Sequence, residues 1–152
     1  MVDGKSMSTP MELNFKKLCG SVVGPELENP SEYRQLAGVL IFLVNSRPDI
    51  CFVVNTFSQF MVEPHHINWI AAKNLLRYLQ GTINYGMRYT VENFRLHGYT
   101  NVEWVGNVVD CESKSGFCFS LGSSSICWMS KKQKSISLST TKVEYIAASM
   151  DL

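Results

Sequence analysis

The hydrophobic period of this chain changes once, at Gly81, and that change constrains the fold more than any other feature. Before Gly81 the apolar residues recur every three or four positions; after it they alternate. A helix stripe and a strand face repeat at different periods, so no single element type accommodates both halves. The chain therefore reads as α+β, with helices first and an antiparallel sheet after them.

Prolines divide the helical half. Asn29-Pro30-Ser31-Glu32 is a start signal: Asn29 caps, Pro30 fits the first helical position, and Glu32 reaches back to the cap amide. Tyr33, Leu36, Ala37, Leu40, Leu43 and Val44 follow on one face. Arg47-Pro48-Asp49 ends that helix and places Asp49 to cap the next, whose stripe is Ile50, Val53, Val54, Phe57, Phe60 and Met61. Glu63-Pro64 precedes a third helix with Ile67, Ile70, Ala71, Leu75, Tyr78 and Leu79 facing inward and Gly81 at its C-terminal cap. Three helices with short connections predict a small bundle over residues 30–84. Residues 1–29, interrupted by Ser8-Thr9-Pro10 and Val23-Gly24-Pro25, read as a linker or arm.

Residues 85–152 read differently. Segments 85–90 and 95–100 are short and rich in aromatic and β-branched residues, as strands are. Phe117, Phe119 and Leu121 alternate with Cys118 and Ser120. Gly122-Ser123-Ser124 offers a hairpin turn, and 125–130 returns with Ile126 and Trp128 on one face. Ser139-Thr140-Thr141 then leads into a helical run over 142–152.

Composition narrows the function. With 152 residues, 45% hydrophobic and 18% charged, the chain is too apolar for wholesale disorder. A net charge of +1 argues against a basic nucleic-acid coat but leaves room for a local basic groove. The longest apolar run, at 39–44, is far below the ~18 residues of a membrane span. Five Cys and a start without a basic and apolar leader predict reduced thiols in a soluble, intracellular protein, not associated with membranes. His65 and His66 are adjacent, project about 100° apart on a helix and chelate poorly; they read as an exposed helix start. Cys111, Cys118 and Cys127 lack metal-finger spacing, and no nucleophile elbow or phosphate loop occurs.

Several phrases together resemble the polyprotein of copia-type retrotransposons, at the junction of reverse transcriptase and ribonuclease H. They are Tyr33-Arg34-Gln35-Leu36, Arg47-Pro48-Asp49-Ile50, Ala71-Ala72-Lys73, and the run from Leu75 to Thr82. Gly98-Tyr99-Thr100, Ser113-Lys114-Ser115-Gly116, Ser130-Lys131-Lys132-Gln133, and Leu138-Ser139-Thr140-Thr141 leading into Glu144-Tyr145-Ile146-Ala147-Ala148 continue the order. The Asp-Asp polymerase motif of such elements does not occur in this sequence. The resemblance implies a thumb- or connection-like helical segment at 30–84. It also implies a ribonuclease H-like three-stranded antiparallel sheet with one helix at 85–152, ending early in that fold.

That family's chemistry is hydrolysis of RNA in an RNA–DNA hybrid by two Mg²⁺ ions, held by clustered carboxylates. By resemblance, the first Asp falls at Asn101 and the helix Glu at Glu144; Glu103 and Asn107 stand where further acids are expected. Asn101 brings no charge, and Glu144 alone does not hold two cations. Glu103, two residues past Asn101 on a strand, shares its face and is the candidate for a residual Mg²⁺ site. The expectation is a catalytically degenerate segment with no cofactor of its own. Lys131, Lys132 and Lys134 form a cationic stretch near Trp128, suited to weak, salt-sensitive contact with nucleic acid or hybrid. An unpaired strand edge would also favour self-association.

Overall fold

The computed structural model describes residues 5–11, 24–90, 95–103 and 114–132. The chain divides into two compact units, Met1–Gly86 and Met87–Leu152.

The first unit is helical: α1 (Pro30–Leu43), a 3₁₀ turn (Pro48–Ile50), α2 (Cys51–Ser58) and α3 (His66–Gly81). Its core is Tyr33, Ala37 and Leu40 of α1, Ile50, Val53, Val54 and Phe57, and Ala72, Leu75 and Tyr78 of α3. Apart from Ala72, which is buried in place of the expected Ala71, these are the positions that the three-to-four residue spacing selects. Phe60 and Met61 pack against this core from beyond the end of α2. Ile70, expected inside, is 47% exposed; Asn68 takes the buried position instead. The reason is a cap. The Asn68 side chain accepts the His65 amide at 2.9 Å at the start of α3, and the Asn68 amide donates to the His65 carbonyl at 3.0 Å. His65 thus takes the N-cap position of α3 without a side-chain cap bond, and His66 is exposed.

Two expected caps form differently. Asn29 precedes α1 without a side-chain bond to its backbone; its amide donates to the Glu32 carboxylate at 3.1 Å. Asp49 lies inside the 3₁₀ turn and does not cap α2, because Arg47 and Tyr78 hold its carboxylate. The described part of the N-terminal arm lies on the helices. Arg77 Nε donates to the Lys5 carbonyl at 2.8 Å, and Met7 and Met11 pack against the core.

Tyr33 is fully buried, its hydroxyl donating to the Phe57 carbonyl at 2.9 Å, and burial holds its phenol well above the ordinary range. That carbonyl also accepts from the Phe60 amide, so Tyr33→Phe leaves no orphaned acceptor. Its expected cost is only about 1 kcal/mol, read as a small fall in the urea midpoint.

The second unit holds a sheet in the order β1-β2-β3, with β1 (Leu96–Glu103), β2 (Lys114–Leu121) and β3 (Ser124–Lys132) antiparallel throughout. Gly122 turns between β2 and β3 at φ 61°, the left-handed region that an L side chain enters at a cost. Gly122→Ala is expected to destabilise this unit by about 1 kcal/mol, visible as a lower melting midpoint.

Residues 85–90 are not a strand. They form an arm whose polar groups are used by the β2–β3 turn: Tyr89 donates to the Ser125 carbonyl at 2.9 Å, and Ser123 and Ser124 donate to the Arg88 carbonyl. The register decides which strand faces join across the sheet. Cys118 is opposite both Tyr99 and Trp128, so Trp128 shares a face with Tyr99 and not with Phe117 and Phe119. A bulge at Phe119/Ser120 leaves Ile126 between paired residues. Phe119 instead packs its ring over Gly98, where a Cβ would approach Cε1 to 2.8 Å. Among the described residues β1 and β3 are the sheet's edges; the helical run at 142–152 lies outside them.

Candidate functional site

Among the described residues of the helical unit, Asp49 has the most strongly held carboxylate. Arg47 grips it in two parallel bonds, Nε to Oδ1 at 2.9 Å and Nη2 to Oδ2 at 2.7 Å, and the Tyr78 hydroxyl donates to Oδ2 at 2.8 Å. The Arg47 hydrogen bonds come first in holding the Asp49 carboxyl below its usual range, against the opposing effect of partial burial. Burial, then the bond to Asp49, raises the Tyr78 phenol. Arg47 also donates to the Thr82 carbonyl at 3.0 Å and hydroxyl at 2.8 Å, and the Thr82 hydroxyl donates to the Tyr78 carbonyl at 2.9 Å. The guanidinium lies over the Tyr78 and Tyr85 rings.

A perturbed acid in a polar cluster is a common sign of catalysis. Here the acid's donors are all structural, and Arg47 is 7% exposed. The cluster fastens the end of α1 and the 3₁₀ turn to the end of α3. It explains physically why Arg47-Pro48-Asp49 and Tyr78 through Thr82 occur in one chain.

The clamp predicts a pH dependence. A carboxyl with a depressed folded pKa stabilises fully above its unfolded value, about 3.9, and loses that contribution as pH falls through the folded value. The helical unit should lose stability below about pH 4, and Asp49→Asn should be both less stable at pH 7 and flatter across that interval. About a third of the Asp49 side chain is exposed, so the pH 7 difference shrinks in high salt.

In the sheet, Asn101 lies on β1 opposite Gly116 and is exposed. Glu103 is two residues further, opposite Lys114. Lys131 is exposed near the end of β3 opposite Ser115, and Lys132 is opposite Lys114. Lys134 and Glu144 lie outside the described residues, as do Cys111 and Asn107. The register brings Asn101, Glu103 and Lys132 to one end of one sheet face, with Lys131 next in chain on the other. It adds Lys114, which sequence reasoning left unassigned; its place beside Lys132 depends on the pairing of two strands.

Asn101 is the one described side chain among the expected metal donors, and it is a neutral amide. Among the described residues no three His, Cys, Asp or Glu side chains come together as a metal site. Two neighbouring Mg²⁺ ions repel each other and need bridging negative charge, which the Asn101 amide does not carry. No helix among the described residues is long and apolar enough to cross a membrane.

Several known proteins are similar to this sequence. It is 39% identical over 146 residues, 95% of this chain, to the retrovirus-related Pol polyprotein from transposon RE2 of Arabidopsis thaliana, and spans 10% of that polyprotein. An uncharacterized mitochondrial protein of Arabidopsis thaliana, AtMg00810, is 38% identical over 152 residues, with 62% of its length covered. Secreted RxLR effector protein 161 of Plasmopara viticola is 40% identical over 119 residues, 77% of this chain and 84% of the effector. No family model matches the chain, and no solved structure matches it significantly.

Proposed function

The chain belongs to the family of retrovirus-related Pol polyproteins of copia-type transposons, and from that premise we propose that it is a catalytically degenerate segment with no hydrolytic activity of its own. Asn101 carries this reading. It occupies the strand position at which the resemblance expects a metal-bridging Asp, and an amide oxygen lacks the charge to hold two cations near each other. The helical unit at 30–84 corresponds in this reading to a thumb- or connection-like segment, and the sheet to the opening of a ribonuclease H-like domain. Calorimetric titration with Mn²⁺ tests it: no saturable uptake of two ions is expected, and saturable uptake of two ions would overturn it.

A second reading is a weak nucleic-acid or hybrid contact through Lys131, Lys132 and Lys134. The exposure of Lys131 and the register pairing of Lys132 with Lys114 favour it. Charge reversal of the three lysines should then abolish a salt-sensitive retention of RNA–DNA hybrid. Retention that survives the reversal would sink it.

A further inference from the structure

β3 is an edge of the sheet among the described residues, and each of its ends carries a guard. With β2 on one side only, alternate backbone groups of β3 point outward. Ile126 is 45% exposed and Met129 38% exposed, and Cys127 between them is exposed as well. Residues 126–129 carry no charge. An uncharged, partly apolar edge is a template for another strand. At the far end Lys131 is exposed, and its charge resists an indiscriminate partner.

The near end is guarded by residues 88–90. Leu121 pairs with Ser124 across the two-residue turn, the hydrogen-bonded pair that closes such a hairpin. The next pair, Ser120 with Ser125, is then the kind whose backbone groups point away from each other. The outward Ser125 carbonyl accepts the Tyr89 hydroxyl at 2.9 Å, where the amide of a further strand would otherwise donate. The Ser123 and Ser124 hydroxyls donate to the Arg88 carbonyl, and the Thr90 and Ser123 hydroxyls share a bond at 2.9 Å. These four contacts all use side-chain hydroxyls. Arg88, Tyr89 and Thr90 are themselves exposed, so little apolar burial resists their opening.

We propose that residues 88–90 are a releasable strap over the edge of β3, and that on release this edge pairs antiparallel with β3 of a second copy of the chain. A two-fold arrangement suits this strand because it keeps like charges apart. Lys131 of each copy then lies toward Ser123-Ser124-Ser125 of the other, which carry no charge. Parallel pairing would set the two Lys131 side chains beside each other. The serine end is also where the strap lies, so pairing along the whole strand requires the strap to leave. Such pairing calls on no metal and no nucleic acid.

Sedimentation velocity of the full chain over a concentration series, with reductant present to exclude a disulfide through Cys127, measures the association. Tyr89→Phe keeps the ring and removes one bond of the strap; Ser123→Ala with Ser124→Ala removes the two to the Arg88 carbonyl. Tyr89→Phe should tighten the dimer about fivefold, and the double variant at least as much. Amide exchange across 126–130 should then slow as protein concentration rises. Met129→Lys added to Tyr89→Phe should return the chain to the weaker association of the parent, since a charged edge disfavours pairing. Variants that associate no more than the parent overturn the strap. Association that Met129→Lys does not reverse, or that protects β1 amides and not those of β3, overturns pairing through this edge. Association that comes with loss of the parent's near-ultraviolet spectrum is unfolding, and overturns it too.

Discussion

Arg47→Met will lower the thermal midpoint of the helical unit by about 10–20 °C. The substitution keeps much of the aliphatic volume and removes four hydrogen bonds at once: two to Asp49, and those to the Thr82 carbonyl and hydroxyl. Breaking a buried pair by deleting one partner costs about 3–5 kcal/mol, because the other charge is left without its counterion. Asp49 keeps its bond from Tyr78 and reaches solvent, so the expected loss is smaller, about 2–3 kcal/mol. For a unit of this size each kcal/mol corresponds to about 4–8 °C. Arg47→Lys should recover little of it. An ammonium has no planar fork and cannot serve the carboxylate and Thr82 together. The measurement is far-ultraviolet circular dichroism of the full chain through a melt. An Arg47→Met midpoint within about 2 °C of the parent would mean that the clamp is ornamental.

Leu75→Ala is the second large effect, expected at about 3–4 kcal/mol and a midpoint fall of about 15–25 °C. Leu75 is fully buried at the centre of α3, in the cluster with Tyr33, Ile50 and Phe57. Its removal takes apolar contact from α1, α2 and the 3₁₀ turn, and the cavity left behind cannot close without moving a helix. Phe42→Ala is the matched control. Phe42 is larger but 78% exposed on the outer side of α1, so its loss should change stability by no more than about 0.5 kcal/mol. Equal effects at the two positions would contradict the core described here.

Much of this architecture was legible because prolines punctuate the helices and apolar spacing gives the inner face. Tyr33, Ala37, Leu40, Val53, Val54, Phe57, Leu75 and Tyr78 are found by counting alone, and their burial follows. What counting missed depends on distant partners. Asp49 is a plausible cap until Tyr78, twenty-nine residues away, donates to its carboxylate. Residues 85–90 have strand composition, yet the Arg88 carbonyl is taken by hydroxyls of the β2–β3 turn. Which face of β3 joins the Phe117 face of β2 has the same origin. Alternation assigns two faces to each strand separately, and only the register joins the faces of different strands.

The candidate site was legible in a different way. Asn101 was singled out by resemblance, and the structure adds its place on β1 and its exposure. The pairing of Lys114 with Lys132 was invisible, because it depends on which residues the register sets opposite each other on β2 and β3. The Phe117 and Phe119 rings on the other face lie 5.6 Å apart.

The most direct test of the central claim is incubation of a labelled RNA–DNA hybrid with the purified full chain in Mg²⁺ and, separately, in Mn²⁺. The account predicts an intact RNA strand in both, since Asn101 cannot supply the missing charge. Cleavage by the parent protein that disappears in Glu144→Gln would contradict it, and would show that a working two-metal site is assembled without an Asp at position 101.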